Sequence, residues 1–134
     1  MNGKRILVIE DNQLNLELVT DLLEASGFAV IPARTAEEGL DVARQSAPDL
    51  VLMDLTLPGM DGLVATRILK ADPTTRHLSV VALTARAMKG DEENVMGAGC
   101  DGYLTKPIDT RTFARSVSDF LTAAHCESTE IAAH

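Results

Sequence analysis

The chain predicts an α/β domain, a doubly wound five-stranded parallel sheet with helices on both faces. Three observations carry that expectation. Five short apolar runs recur at similar spacing, none alternates cleanly between apolar and polar residues, and the stretches between them repeat with a helical period. Strands covered on both faces read as continuous apolar runs, and strands alternating with helices build parallel βαβ units.

The first run, Ile6-Leu7-Val8-Ile9, follows Lys4-Arg5 and stops at Glu10-Asp11. Leu16, Val19 and Leu23 share one stripe of the helix behind it, and Gly27 is its C′ stop. The second run is Phe28-Ala29-Val30-Ile31, and Thr35-x-x-Glu38 is a capping box that opens the second helix. The third, Leu50-Val51-Leu52-Met53, lies between Asp49 and Asp54; Val64 and Ile68 mark the helix after it. The fourth, Val80-Val81-Ala82-Leu83, ends in Thr84-Ala85. A fourth helix over Arg86 to Gly99 would carry Gly90, Gly97 and Gly99. Each glycine within a helix costs about 1 kcal/mol against alanine, so this helix is expected to be the least stable and the first to move. A weaker strand, Tyr103-Leu104, runs into Lys106-Pro107. Asp109-Thr110 caps the last helix, whose stripe is Phe113, Val117 and Phe120. Beyond Leu121 the pattern ends, and the last residues read as a frayed tail.

Composition narrows the function classes. A chain of 134 residues suits one domain, and 46% hydrophobic with 24% charged residues is the balance of a globular one. Aromatics are only 3%, too few for a base-stacking surface. A net charge of −8 repels phosphates at long range, against direct nucleic-acid or anionic-membrane binding. No 18-residue apolar stretch or signal peptide is present, and Cys100 and Cys126 form no CxxC pair, so the expectation is a cytoplasmic protein with reduced thiols. His125-Cys126 is too small a group for a tetrahedral metal site.

Chemistry in such folds collects at the carboxyl ends of the strands. Glu10 and Asp11 lie at the end of the first, Asp54 at the third, Thr84 at the fourth and Lys106 beyond the fifth. Taken singly, each has an ordinary explanation as a cap or loop residue. Together they put three carboxylates, a hydroxyl and an ammonium on one rim. Two like charges about 4 Å apart repel by roughly 4 kcal/mol at an effective dielectric near 20, so the acids need a cation, a shared proton or separation. An all-oxygen donor set suits a hard cation, Mg²⁺ or Mn²⁺. Lys106 and Thr84 would suit a phosphoryl oxygen, and an aspartate beside Mg²⁺ is a nucleophile toward phosphorus.

At this point the sequence resembles the response-regulator receiver domains, the CheY-like family of two-component signalling. The motifs are ILVIEDN, DLVLMDLTLPGMDG, VVALTA and DGYLTKPI, and the likeness spans Lys4 to about Leu121. EDNQLNLEL, ARAMKGDEE and GAGCDGYLTKPI are further similar to DivK-like single-domain regulators and the receivers of hybrid kinases. The resemblance implies strand order 2-1-3-4-5, a receiver over residues 1–123 and a flexible tail over 124–134. It implies that Asp54 is the phosphoacceptor and that Glu10, Asp11, Asp54 and the Thr56 main-chain carbonyl hold Mg²⁺. It implies that Thr84 is the switch hydroxyl with small Ala85 beside it, that Lys106 binds phosphoryl oxygens, that a cis bond precedes Pro107, and that Tyr103 turns inward on activation. Thr56 and Arg86 flank the site and are expected to tune hydrolysis. Glu10 stands where the family often has aspartate, which leaves direct or water-mediated contact with the cation open.

A sensor histidine kinase or a histidine phosphotransfer protein is the implied phosphodonor. No room for an output domain is expected after Leu121, so the implied readout is a protein partner on the fourth helix, fifth strand and fifth helix, or a relay to a histidine. Such a domain is a phosphoacceptor switch that catalyses only its own Mg²⁺-dependent phosphorylation and dephosphorylation. Three rivals fit less well. A haloacid-dehalogenase phosphatase wants a second aspartate where Thr56 stands, and an FMN binder wants a phosphate loop where Glu10-Asp11-Asn12-Gln13 stands. A scaffold that no longer switches would not need the full acid, Thr and Lys set.

Overall fold

The computed structural model describes residues 4–55, 62–84, 97, 99–105 and 108–121. Its elements are β1 (Arg5–Ile9), α1 (Gln13–Ala25), β2 (Ala29–Ala33), α2 (Ala36–Ser46), β3 (Leu50–Asp54), α3 (Gly62–Ala71), β4 (Ser79–Thr84) and β5 (Gly102–Thr105). A C-terminal helical stretch covers residues 113–121. The strands form one parallel sheet in the order β2-β1-β3-β4-β5. The sheet and its order are as expected. Gly97 is helical, but the rest of the expected fourth helix from Arg86 to Ala98, Gly90 included, lies outside the described residues. So do His125, Cys126 and the remainder of the tail.

Two cores flank the sheet because successive side chains of a strand point to opposite faces. Ile6, Val8, Leu50, Leu52, Val81 and Leu83 pack with Leu16, Val19, Leu23 of α1 and with Phe113, Val117 and Leu121. Leu7, Ile9, Val51, Met53, Val80 and Ala82 face Ala36, Leu40, Ala43 of α2 and Ala65 and Leu69 of α3. Both stripes expected for α1 and the C-terminal helix are therefore seen, although Phe120 is only half-buried. Among the described residues no helix is long and apolar enough to cross a membrane.

Local signals set the ends of these elements. Asn12 Oδ1 accepts the Asn15 N–H at 3.0 Å and opens α1. Gly27 N–H bonds Glu24 O and Phe28 N–H bonds Leu23 O, a Schellman closure with Gly27 at φ 93°. Thr35 Oγ1 caps α2 by accepting the Glu38 N–H at 3.1 Å, and Asp109 Oδ1 accepts the Arg111 N–H at 3.0 Å before the last helix. Directly after α3, Asp72 accepts bonds from the Thr74 N–H, the Thr74 hydroxyl and Arg44 Nε of α2, which hold its carboxyl below the usual range.

Two sequence expectations shift. The second strand runs from Ala29 to Ala33 and includes Pro32, while Phe28 lies outside it and plugs the α1 core. As an edge strand it leaves Ala29 and Pro32 exposed, so it is not covered on both faces; an edge is also where a residue without an N–H is tolerated. In α3 the buried face is Gly62, Ala65, Thr66 and Leu69, and Val64 is exposed. Small residues face the sheet there because the helix approaches it closely: a Cβ on Gly62 would lie 2.6 Å from the Asp54 carbonyl oxygen. Asp49 stands at the opposite edge of the sheet from Asp54, its Oδ2 accepting the Arg5 N–H at 2.8 Å.

A further tie joins α3 to the start of β4 and β5. Lys70 Nζ donates to Leu78 O at 2.7 Å and to Asp101 Oδ2 at 2.9 Å. The same carboxylate oxygen accepts the Val80 N–H at 2.7 Å, and the Asp101 N–H returns a bond to Val80 O. Cys100, a free thiol buried beside this clasp, points at Thr66 Oγ1, and burial pushes its pKa up.

Replacing Gly62 by alanine drives a methyl into the backbone of β3, and the expected cost is about 1–3 kcal/mol in urea denaturation. Gly97→Ala, whose methyl meets no atom within 4 Å, is the comparison and should cost less. Equal losses at the two positions would contradict the close-approach account.

Candidate functional site

Register assembles the site. Ile9 pairs with Met53, so Glu10 and Asp54 leave the two central strands side by side at their carboxyl edge. Alternation along β3 from Leu52 turns the Asp54 side chain to the α1 side, and a Glu10 carboxylate oxygen lies near it. Glu10 and Asp54 are buried, and Asp11 is half-buried. One carboxylate oxygen from each lies within 4.8 Å of the others. Three of the predicted site residues are thus brought together at the ends of two adjacent inner strands.

The turn between β1 and α1 is fixed by hydrogen bonds. The Glu10 N–H donates to Ala33 O at 3.0 Å, and Glu10 Oε1 accepts the Asn12 N–H at 3.2 Å. Arg34 Nη2 donates to the Asp11 carbonyl at 3.0 Å. Asp54 is held by the β3–β4 ladder, where it pairs with Leu83, and the Leu55 N–H extends that ladder to Leu83 O.

Thr84 ends β4, buried, and pairs with Thr105. Tyr103 pairs with Ala82 and packs half-buried on the α2–α3 core. Because Ala82 and Thr84 share a face, Thr84 and Tyr103 stand on the same side of the sheet. Thr56, Ala85, Arg86, Lys106 and Pro107 lie outside the described residues. Arg34 was not among the predicted residues; its signal in the sequence is a basic residue directly after the second strand, next in space to Glu10-Asp11.

The donor set fits a divalent cation. All three groups are carboxylates, hard oxygen ligands of the kind Mg²⁺ takes. Their spacing lets one ion neutralise charges that otherwise repel. Glu10, Asp11 and Asp54 would hold it.

A doubly wound parallel sheet with an acidic pocket at the carboxyl end of its central strands defines a class of domain, and comparison with known proteins places the chain within it. The family model for the response regulator receiver domain matches residues 6–118, and the chain belongs to that family. It is 47% identical over 118 residues to the polar-differentiation response regulator DivK of Brucella ovis, covering 88% of this chain and 96% of that one. Among solved structures it resembles the receiver domain of a sensor histidine kinase of Pseudomonas aeruginosa, with a TM-score of 0.82, 33% identity and coverage of 90% and 98%. That receiver holds a magnesium ion in its active-site cleft. A CheY-like receiver protein of Methanospirillum hungatei gives a TM-score of 0.83 at 28% identity, covering 94% of this chain and 99% of that one. This chain is therefore a two-component response regulator domain, a signalling switch whose class of partner is a histidine kinase or phosphotransfer protein.

Asp11 is the most accessible of the three acids, and its neutral isostere relieves repulsion while removing a ligand. Asp11→Asn should raise stability in EDTA by about 1 kcal/mol, at the low end for charges a few ångströms apart near solvent. The stabilisation that wild type gains from millimolar Mg²⁺ should largely vanish. Thermal unfolding with and without the ion checks both signs.

Proposed function

We propose that this domain accepts a phosphoryl group on Asp54 from a phosphohistidine of a sensor kinase or phosphotransfer protein, and that the modification changes the surface it shows to a protein partner. The observation that carries this reading is the grouping of the Asp54 carboxylate with those of Glu10 and Asp11 at the end of a rigid central strand. In-line displacement needs a nucleophile held in one position, and a buried side chain anchored in the sheet ladder meets that need. An Asp54 carboxylate oxygen attacks phosphorus, the P–N bond of the donor breaks, and its electron pair leaves with the imidazole nitrogen. The product is an acyl phosphate on Asp54.

Mg²⁺ bound by Glu10, Asp11, Asp54 and the Thr56 carbonyl would supply positive charge against the phosphoryl oxygens. In this reading Glu10 and Asp11 hold the ion, and Lys106 binds a phosphoryl oxygen. Thr84 donates its hydroxyl to the phosphoryl group, and small Ala85 leaves room for that group. Thr56 and Arg86 set the rate of hydrolysis, a slow reaction the domain catalyses on itself. Pro107, after a cis bond, helps aim Lys106.

The switch rests on charge. Phosphorylation adds nearly two negative charges and three strong acceptors. Drawing Thr84 toward them frees space on its side of the sheet, and Tyr103, on that same side, turns into it. Taking such an equilibrium from 1:99 to 99:1 needs about 5.5 kcal/mol, within reach of a few charge-assisted hydrogen bonds. The readout surface in this proposal is the segment between β4 and β5 together with β5 and the C-terminal helix. The setting is the cytoplasm, where the kinases that phosphorylate such domains act.

The test is intact mass after incubation with a small phosphodonor and Mg²⁺. One hydroxylamine-labile phosphoryl group is expected, lost in Asp54→Asn and lost with EDTA; equal uptake by the variant would refute Asp54 as acceptor. Thr84→Ala should still take up phosphate. Tyr103 is the chain's one tyrosine and there is no tryptophan, so its fluorescence reports the coupling. The expected result is a phosphorylation-dependent signal that shrinks several-fold in Thr84→Ala; an undiminished signal removes Thr84 from the switch.

A further inference from the structure

Arg34 is the first residue beyond β2, and its exposed side chain crosses to the end of the neighbouring strand. There Nη2 donates to the main-chain carbonyl of Asp11 at 3.0 Å. The bond falls on the most accessible of the three acids, in the turn that presents its carboxylate to Glu10 and Asp54. On the Glu10 side that turn is tied to Ala33 O, and on the Asn12 side it is tied by the Glu10 carboxylate and the α1 cap. Ala33 is the residue before Arg34, so the same strand end holds the turn through its backbone and through the guanidinium.

We infer that Arg34 is a positioning residue for the divalent-cation site, holding the Asp11 backbone so that its carboxylate faces Glu10 and Asp54. The inference rests on the cation-binding reading above. Two effects of a guanidinium at this rim have opposite signs. As a positive charge it opposes a dication, and its removal would tighten binding. As a tether it fixes a ligand before the ion arrives, and its removal loosens binding. The bond is made to an uncharged main-chain oxygen, which constrains geometry and leaves the carboxylate available to the ion.

The sign of the change in Mg²⁺ affinity separates the two. Calorimetric titration of the full chain with Mg²⁺ would compare wild type, Arg34→Ala and Arg34→Lys, with unfolding in EDTA measured alongside. The tether predicts that Arg34→Ala binds Mg²⁺ roughly threefold to tenfold more weakly, the range of one hydrogen bond, while its midpoint in EDTA stays near wild type. Lysine, which keeps a charge and a donor, should restore part of the loss. Unchanged or tighter binding in Arg34→Ala overturns the inference and leaves the cation site standing. A fall in the EDTA midpoint with unaltered affinity also overturns it, as a purely structural role. Failure of wild type itself to bind Mg²⁺ would instead overturn the cation-binding reading, and the inference with it.

Discussion

The repulsion among Glu10, Asp11 and Asp54 is the constraint around which the described structure is arranged. Their oxygens gather within 4.8 Å, at a separation where like charges disfavour one another by kilocalories. Flexible loops would let them drift apart. Here two of the three leave adjacent central strands, locked by the pairing of Ile9 with Met53, and both strands are buried on either side by apolar layers. The stability of those layers is what keeps the acids together. Three carboxylates held this close form the kind of all-oxygen ligand set that a divalent cation takes.

Much of this was legible in the sequence, and the reasons differ by element. Buried parallel strands announce themselves because both faces are apolar, so β1, β3 and β4 were read nearly to the residue. The same rule misplaced the edge strand β2, where exposure of Ala29 and Pro32 breaks the pattern and Phe28 looks like strand while serving the helix core. In α3 bulky Val64 and Ile68 drew attention, yet the sheet is faced by Gly62, Ala65 and Thr66, because close packing selects for small side chains that hydropathy does not weigh.

The candidate site divides the same way. Glu10, Asp11 and Asp54 were found because strand ends are countable and carboxylates are conspicuous there. Asn12 as the cap of α1 could have been found from its place between strand and helix. Arg34 could not be assigned that way: β2 beside β1 follows from the expected strand order, but the reach of its long side chain to the Asp11 carbonyl shows only in the structure.

The clasp of Lys70 on Asp101 and Leu78 has a bearing on how such a domain diversifies. It fixes the entrance to β5 against α3 and β4, while Thr84 is fixed by its pairing at the exit of β4. The chain between these two anchors must span a set distance, but the register of the strands is decided at the anchors. Lengthening a connection between fixed ends costs little, since closure entropy grows only with the logarithm of length. Changes of length between Arg86 and Gly99 can therefore accumulate without refolding the sheet or moving the acids. A lineage could lengthen or shorten one segment and keep the three acids where they stand.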